Sequence, residues 1–425
     1  MIAWLLISFF VLLFLGVPIA MSLGLSAMGG ILFLGGGSTV TIAQRMFEGM
    51  NSFALLAIPL YTFAGFTMSK GGISKRLMDF CYSIVGHIYG GLAHVNVLSS
   101  MIFAGISGSA VADTAGVSGM FMPEMIRKGY SKNFTVAVTA ISSTIGIIIP
   151  PSIPMVVIAG ICGISTGKLF LGGIIPGILC GLAQMIVSYF LAKKEGVPKE
   201  PGHFTIGPVL HGLWESWPAL LMPIIIVGTI TMGIVSPTEA GVSAVVYGLF
   251  AGGIIYRELK WEDIKFAFAE PVRTSGRIFI VIGAAKLYTV MLTTAGFDKW
   301  VAKTMLGFST NPTVILIMIL LIFFIVTMFM ESIATLTLFM PILYPIALGV
   351  GINPIVLSVL ITVVIGIGLV TPPVGMCIYV ACDLMDTTVG EVFPTLVPFI
   401  AATFVCIALM VAFPQLILLP TYLMA

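Results

Sequence analysis

Long apolar runs fill most of the chain, and short polar islands interrupt them at repeating positions. Residues 2–36 are apolar for longer than one span of about 20 residues requires. They fit either two short spans divided at Gly16 and Pro18 or one long tilted helix. A connector over 37–50 carries Arg45 and Glu48, and a span over 51–69 contains Pro59. After the basic loop Lys70–Arg76, residues 77–90 alternate in a way that predicts an amphipathic helix on the membrane surface. Residues 92–106 and 115–127 are too short for comfortable spans, and with the polar island between them they predict a re-entrant hairpin. A span over 133–164 is broken at Gly146 and Pro150-Pro151, and 169–192 reads as an unbroken one.

The order then recurs. Beyond a linker at 193–201, spans near 215–234 and 239–256 precede a surface segment, Arg257–Lys265. A span over 275–295 repeats Leu60-Tyr61-Thr62 as Leu287-Tyr288-Thr289. Phe297–Lys303 matches the earlier surface helix, 311–329 and 337–350 form a second hairpin, 353–385 a second broken span, and 391–420 a closing span. A shift of 222 places Gly146 on Gly368 and Pro150-Pro151 on Pro372-Pro373, whereas a shift of 218 places Phe121-Met122-Pro123 on Phe339-Met340-Pro341. One division of the chain follows. Residues 1–76 and 169–274 are scaffold spans, 77–168 and 275–390 are two matching halves of a transport unit, and 391–425 is a C-terminal span.

Composition supports a polytopic all-α membrane protein: 59% of the residues are hydrophobic and 8% charged, against about 25% charged in soluble domains. The net charge of +2 is spread over loops and points to no nucleic acid. Six scattered cysteines without a CxxC pair read as small core residues. The start of the chain lacks a basic region and a cleavage site, so it reads as a span, not a removed signal. Placing 13 of the 19 Lys and Arg on the cytoplasmic side makes the first hairpin open from the cytoplasm and the second from the opposite side. The repeats are then inverted, and the two tips can meet near the midplane.

The tips and breaks leave backbone and hydroxyl oxygens at bilayer depth, where each unsatisfied group costs several kcal/mol. Hard cations take oxygen ligands, so sodium fits. One cage draws on Ser107, Gly108, Ser109, Asp113, Ser142, Ser143, Thr144 and Gly146, and its mirror on Ser332, Thr335, Thr337, Gly366, Gly368 and Thr371. The alternative is that these small residues only let helices pack closely. Helix starts after each tip can hold an anion, which makes Asp113, Ser109, Thr337, Pro151 and Pro373 candidate substrate contacts. Asp113 either balances a cation or caps its helix, and Glu331 either lines a proton path or caps its own. Lys286 and Arg277 lie in a predicted span and either meet an anion or snorkel to the surface. Trp214, Trp217 and Trp261 read as interfacial anchors, and His87, His94, His203 and His211 lack metal spacing. Gly167-Lys168 is no phosphate loop, because residue 162 is Cys and Leu169 follows the lysine. The two acids fall on different hairpins without a protease signature, so the chain reads as a non-enzyme. Nothing resembles a channel filter.

Ser107–Ala115, Ile149-Pro-Pro-Ser152, Pro237-Thr-Glu-Ala-Gly241 and Thr371-Pro-Pro-Val-Gly375 resemble the large membrane subunit of tripartite ATP-independent periplasmic (TRAP) transporters. The resemblance covers essentially the whole chain. It implies an elevator-type carrier of the wider ion-transporter superfamily in a bacterial inner membrane. Sodium would be its coupling ion, and it would have two partners: a small four-helix membrane subunit and a periplasmic substrate-binding protein. Here the small subunit is expected as a separate polypeptide. Family substrates are organic acids, chiefly C4-dicarboxylates and sialic acid, and the latter is the expectation for this chain. The alternative is a stand-alone proton- or sodium-coupled carrier that needs no binding protein.

Overall fold

A computed structural model describes residues 1–35, 39–197 and 205–424, and is helical throughout them. Lys199, His203 and the start of the 37–50 connector lie outside the described residues. The N-terminal run resolves into α1 Ile2–Phe14 and α2 Ile19–Leu34. Gly16 at φ 80° turns the chain between them, and Pro18 cannot donate to a continuing helix. The expected connector is instead largely a helix, α3 Thr39–Met50. Pro59 does not interrupt its span. It sits in the first turn of α4 Ala57–Lys70, where backbone N–H groups lack helix partners anyway.

The expected surface helix, α5, runs Ile73–Val85, four residues earlier than the pattern suggests, because Gly72 at φ 79° lets it start inside the Lys70–Arg76 segment. The first helix pair is α6 Gly91–Ser107 and α7 Ala110–Arg127. The broken span is α8 Lys132–Ser143, a 3-10 turn at Thr144–Ile147, a cis Pro150-Pro151 bond, and α9 Ile153–Cys162. α10 follows at Thr166–Glu195. The second half holds α11 Ile206–Thr231 and α12 Pro237–Phe250. Next comes α13 Trp261–Thr294, in which the end of the expected surface segment, from Trp261, and the following span form one helix of 34 residues. α14 Phe297–Phe308, the pair α15 Pro312–Thr327 and α16 Ser332–Gly349, and the broken span α17 Pro354–Gly368 and α18 Met376–Asp383 come next. α19 Val389–Ala412 nearly closes the chain. Seven helical stretches among the described residues are long and apolar enough to cross a membrane.

The repeat is visible in the element boundaries. An offset of 222 carries α7 onto α16 end to end, Lys132 onto Pro354, and the left-handed Gly129 onto Gly351. The helix caps Ser131 and Asn353 correspond at the same offset. The tripeptide match at 218 is therefore displaced by one turn. Pro123 falls on Pro345, and four residues along a helix return a side chain to nearly the same face.

The halves interlock. α9 packs on α16, and α18 packs on α7. α4 packs on α12, while α13 packs on α2 and α3. The repeated Leu-Tyr-Thr motif serves these crossings. The Tyr61 hydroxyl donates to the Pro237 carbonyl at 2.7 Å, and the Tyr288 hydroxyl to Leu5 at 2.9 Å.

One buried polar network breaks the symmetry. Asn96 donates to Thr139 Oγ1 at 2.7 Å and accepts from Ser142 at 3.0 Å, and Ser142 accepts from Ser100 at 3.0 Å. The corresponding positions in the second half are Met318, Ile361, Val364 and Ile322. Asn96→Ala deletes two buried hydrogen bonds, although Thr139 and Ser142 keep their bonds to the Thr135 and Thr139 carbonyls, so it is expected to lower stability by about 1–3 kcal/mol. Thermal melting in detergent is the check.

Candidate functional site

At the first tip, Ser107 ends α6, Gly108 turns left-handed at φ 65°, and extended Ser109 caps α7. The Ser109 side chain accepts from Ala112 N at 3.4 Å, and Ser109 N donates to Ser107 Oγ at 3.2 Å. This tip is fastened to the first break: Ile153 N donates to the Gly108 carbonyl at 3.2 Å. A Cβ on Gly108 would lie 2.7 Å from the Pro151 carbonyl, so glycine is needed for both its φ and its neighbour. The second tip is fastened in the same way, by Val374 N donating to the Met328 carbonyl at 2.9 Å, just after the cis Pro372-Pro373 bond.

Asp113 occupies the first turn of α7 and is 2% exposed. Its Oδ2 has no hydrogen-bond partner. The Ser107 hydroxyl lies within reach of the carboxylate. Oδ2 faces the bare Cα of Gly146, where any Cβ would collide with it. Cys377 of α18 is close enough to feel the Asp113 charge and to bond the Thr114 hydroxyl. First tip, first break and the helix after the second break therefore converge on one buried carboxylate. Of the two roles open to Asp113, helix capping falls to Ser109 instead.

Glu331 is a cap. Its carboxylate accepts from Ile333 N at 2.9 Å, Ala334 N at 3.3 Å and the Ser332 hydroxyl at 2.7 Å. At the 222 offset it corresponds to Ser109, and Asp113 corresponds to Thr335. The two acids are thus not a matched pair. The other hydroxyls are held by carbonyls one turn back: Ser143 by Thr139, Thr335 by Glu331, Thr337 by Ile333 and Thr371 by Ile367. A hydroxyl that donates keeps its lone pairs, so each can still face a cation.

The two breaks meet where a Cβ on Gly366 would lie 3.3 Å from Thr144 Cβ. Gly368 faces Thr327, the last residue of α15, whose hydroxyl a Cβ there would strike. Thr327 and Cys377 are the site neighbours that the pattern misses. The isolated threonine closing an otherwise apolar arm was the available signal for the first. Pro373 lies two residues before Gly375, which starts α18 without a side-chain cap. Lys286 and Arg277 are elsewhere: the Lys286 stem lies against Gly49 of α3, and Arg277 is exposed. Trp214, Trp217 and Trp261 are exposed, as interfacial anchors would be. Five of the six cysteines are buried core residues.

The sequence profile described as "Tripartite ATP-independent periplasmic transporter, DctM component" matches residues 6–416. The chain belongs to the DctM family. The DctM-family relative "Sialic acid TRAP transporter large permease protein SiaM" of Vibrio cholerae is 35% identical over 96% of this chain and 95% of its own length. The "Isethionate TRAP transporter permease protein DctMQ" of Oleidesulfovibrio alaskensis is 37% identical over 92% of this chain, which spans only 62% of that relative. The solved YdaH transporter of Alcanivorax borkumensis shares the fold at a TM-score of 0.62 and 14% identity, with 87% of this chain and 86% of that one covered. This DctM-family chain is therefore a multi-pass membrane protein, and its DctM relatives are permeases, not enzymes.

Proposed function

We propose that this chain is the transport subunit of a sodium-coupled uptake system for an organic-acid anion, in a bacterial inner membrane. A periplasmic binding protein would deliver the anion, and a small membrane subunit would complete the scaffold. The supporting observation is the buried Asp113, whose unpartnered Oδ2 looks onto the bare Gly146. A bound cation would satisfy an orphaned carboxylate oxygen at this burial, and Ser107, Gly108, Ser109 and Gly146 would supply neutral oxygens around it. Ser143 and Thr144 belong to this first set, and Ser332, Thr335, Gly366, Gly368 and Thr371 form the second candidate set.

The charges suggest how coupling works. Glu331 already neutralises the start of α16. The start of α7, capped by the neutral Ser109, and the uncapped start of α18 at Gly375 remain for an anion once the charge of Asp113 in the first turn of α7 is balanced. Both lie near the Asp113 carboxylate, which repels an anion until a bound cation cancels its charge. Ser109, Thr337, Pro151 and Pro373 would line the solute. Two of the relatives are named for sialic acid and isethionate, both organic-acid anions, and sialic acid is our first candidate. The helix pairs would enter as re-entrant hairpins from opposite leaflets and move with the broken spans as an elevator, while α5 and α14 act as its arms.

The test is uptake by the reconstituted complex with labelled sialic acid. Uptake should follow an imposed inward sodium gradient and collapse without it. Uptake indifferent to sodium would overturn the coupling, and uptake by this chain without a binding protein would favour a stand-alone carrier.

A further inference from the structure

A cavity of about 320 Å3 lies between α14 and the C-terminal half of α16. Its α16 wall is apolar, formed by Pro341, Ile342, Pro345 and Ile346, and its α14 wall carries Asp298 and Lys299. None of the ion pairs among the described residues includes either charge. One carboxylate oxygen of Asp298, Oδ1, is buried without a hydrogen-bond partner. The carboxylate is thus partly desolvated without an ion-pair partner, a costly arrangement that a cation reaching it through the cavity would relieve. Lys299 is exposed beside it.

The matching helix of the first half is more closely held. α5 packs on α6 and α11, and its Arg76 pairs with Glu258 at 2.7 Å and stacks on Tyr256. α14 instead packs chiefly on α13 and α16. Its Trp300 and Phe308 are exposed, as aromatic side chains at a membrane interface are. The two charges therefore sit at headgroup depth, beside an apolar wall.

We infer that this cavity binds a phospholipid whose headgroup is a phosphate ester of a primary amine. Its ammonium meets Asp298, its phosphate meets Lys299, and its acyl chains start along the α16 wall. Adjacent opposite charges complement a zwitterion. An anionic headgroup leaves the Asp298 carboxylate uncompensated, and a quaternary ammonium has no N–H to donate to it. The cavity is at the small end of the range for ligand pockets, about 300–1,000 Å3, and a helix about 10 Å across does not fit it. The inference requires only that the chain spans a membrane and is independent of sodium coupling.

The test uses the full chain, purified in mild detergent and given phosphatidylethanolamine, phosphatidylcholine or phosphatidylglycerol with identical acyl chains. Native mass spectrometry counts the retained lipid, and thermal melting reads stability. Phosphatidylethanolamine should be retained best and should raise the melting temperature most. Asp298→Asn should lower its retention about tenfold, the scale of one hydrogen bond to a charged group. Gly349 also lines the cavity, and a Cβ there meets nothing within 4 Å. Gly349→Leu should therefore fold, fill the space and displace the lipid with both charges intact. Equal retention of the three lipids, or wild-type retention in both variants, would overturn the site. A melting shift from soluble phosphoethanolamine as large as that from the lipid would assign the cavity to a soluble ligand and overturn the lipid. The lipid series on the wild-type chain decides the matter if a variant does not fold.

Discussion

Asp113→Ala should give a folded protein that has lost the sodium response of the first site. In the wild type, sodium at about a hundred times its Kd would stabilise the fold by about 2.7 kcal/mol, because it binds only the native state. The variant should lose that part of the shift which the first site supplies, and its sodium-driven uptake should fall at least about tenfold, the scale seen when support for an ion site is removed. In sodium-free buffer the sign reverses. The Oδ2 atom of Asp113 is buried without a partner, so its removal relieves a desolvation cost. Asp113→Ala should then melt at or above the wild-type temperature. Melting curves with sodium and with choline separate this from a purely structural role, in which the variant would be less stable in both. A sodium shift as large as the wild type's would remove Asp113 from the site.

Much of this arrangement was legible because proline, glycine and charge mark breaks that apolar helices cannot hide. The double prolines, Gly146 and Gly368, and the short polar islands located both tips and both broken spans. The pairing of the two acids was not legible. Asp113 and Glu331 lie in similar islands, but only the helix starts at Ala110 and Ser332 show that Ser109 and Glu331 are the equivalent caps. The 218 shift looked persuasive because it differs from the true offset by one turn and keeps prolines on one face. Charges misled at α13, where Arg257, Glu258, Lys260, Glu262, Asp263 and Lys265 suggested a separate surface segment although the helix begins at Trp261 and runs on through the last three of them. Charged residues are compatible with a helix that extends beyond the apolar layer, so their presence did not mark its end. Thr327 was passed over because its importance depends on Gly368, forty-one positions later in the chain.

Gly146→Ala should show that the contact at Asp113 is tight. In an unconstrained helical position, glycine to alanine stabilises by roughly 0.5–1 kcal/mol. Gly116, exposed on α7 with nothing within 4 Å of a new Cβ, should behave that way. At Gly146 the new methyl group strikes Asp113 Oδ2, and overpacking of this kind costs about 1–3 kcal/mol. Because the displaced atom is the one assigned to the cation, Gly146→Ala should also lose the sodium shift and most of the uptake. The double variant Asp113→Ala/Gly146→Ala is the sharper measurement. Shortening Asp113 to a methyl group vacates the space that the Gly146 methyl needs, so the second substitution should cost almost nothing in that background. The two effects would then be strongly non-additive, as expected for residues in contact. Additive costs would mean that Gly146 and Asp113 do not touch, and the carboxylate would lose the neighbour that makes it a cation site.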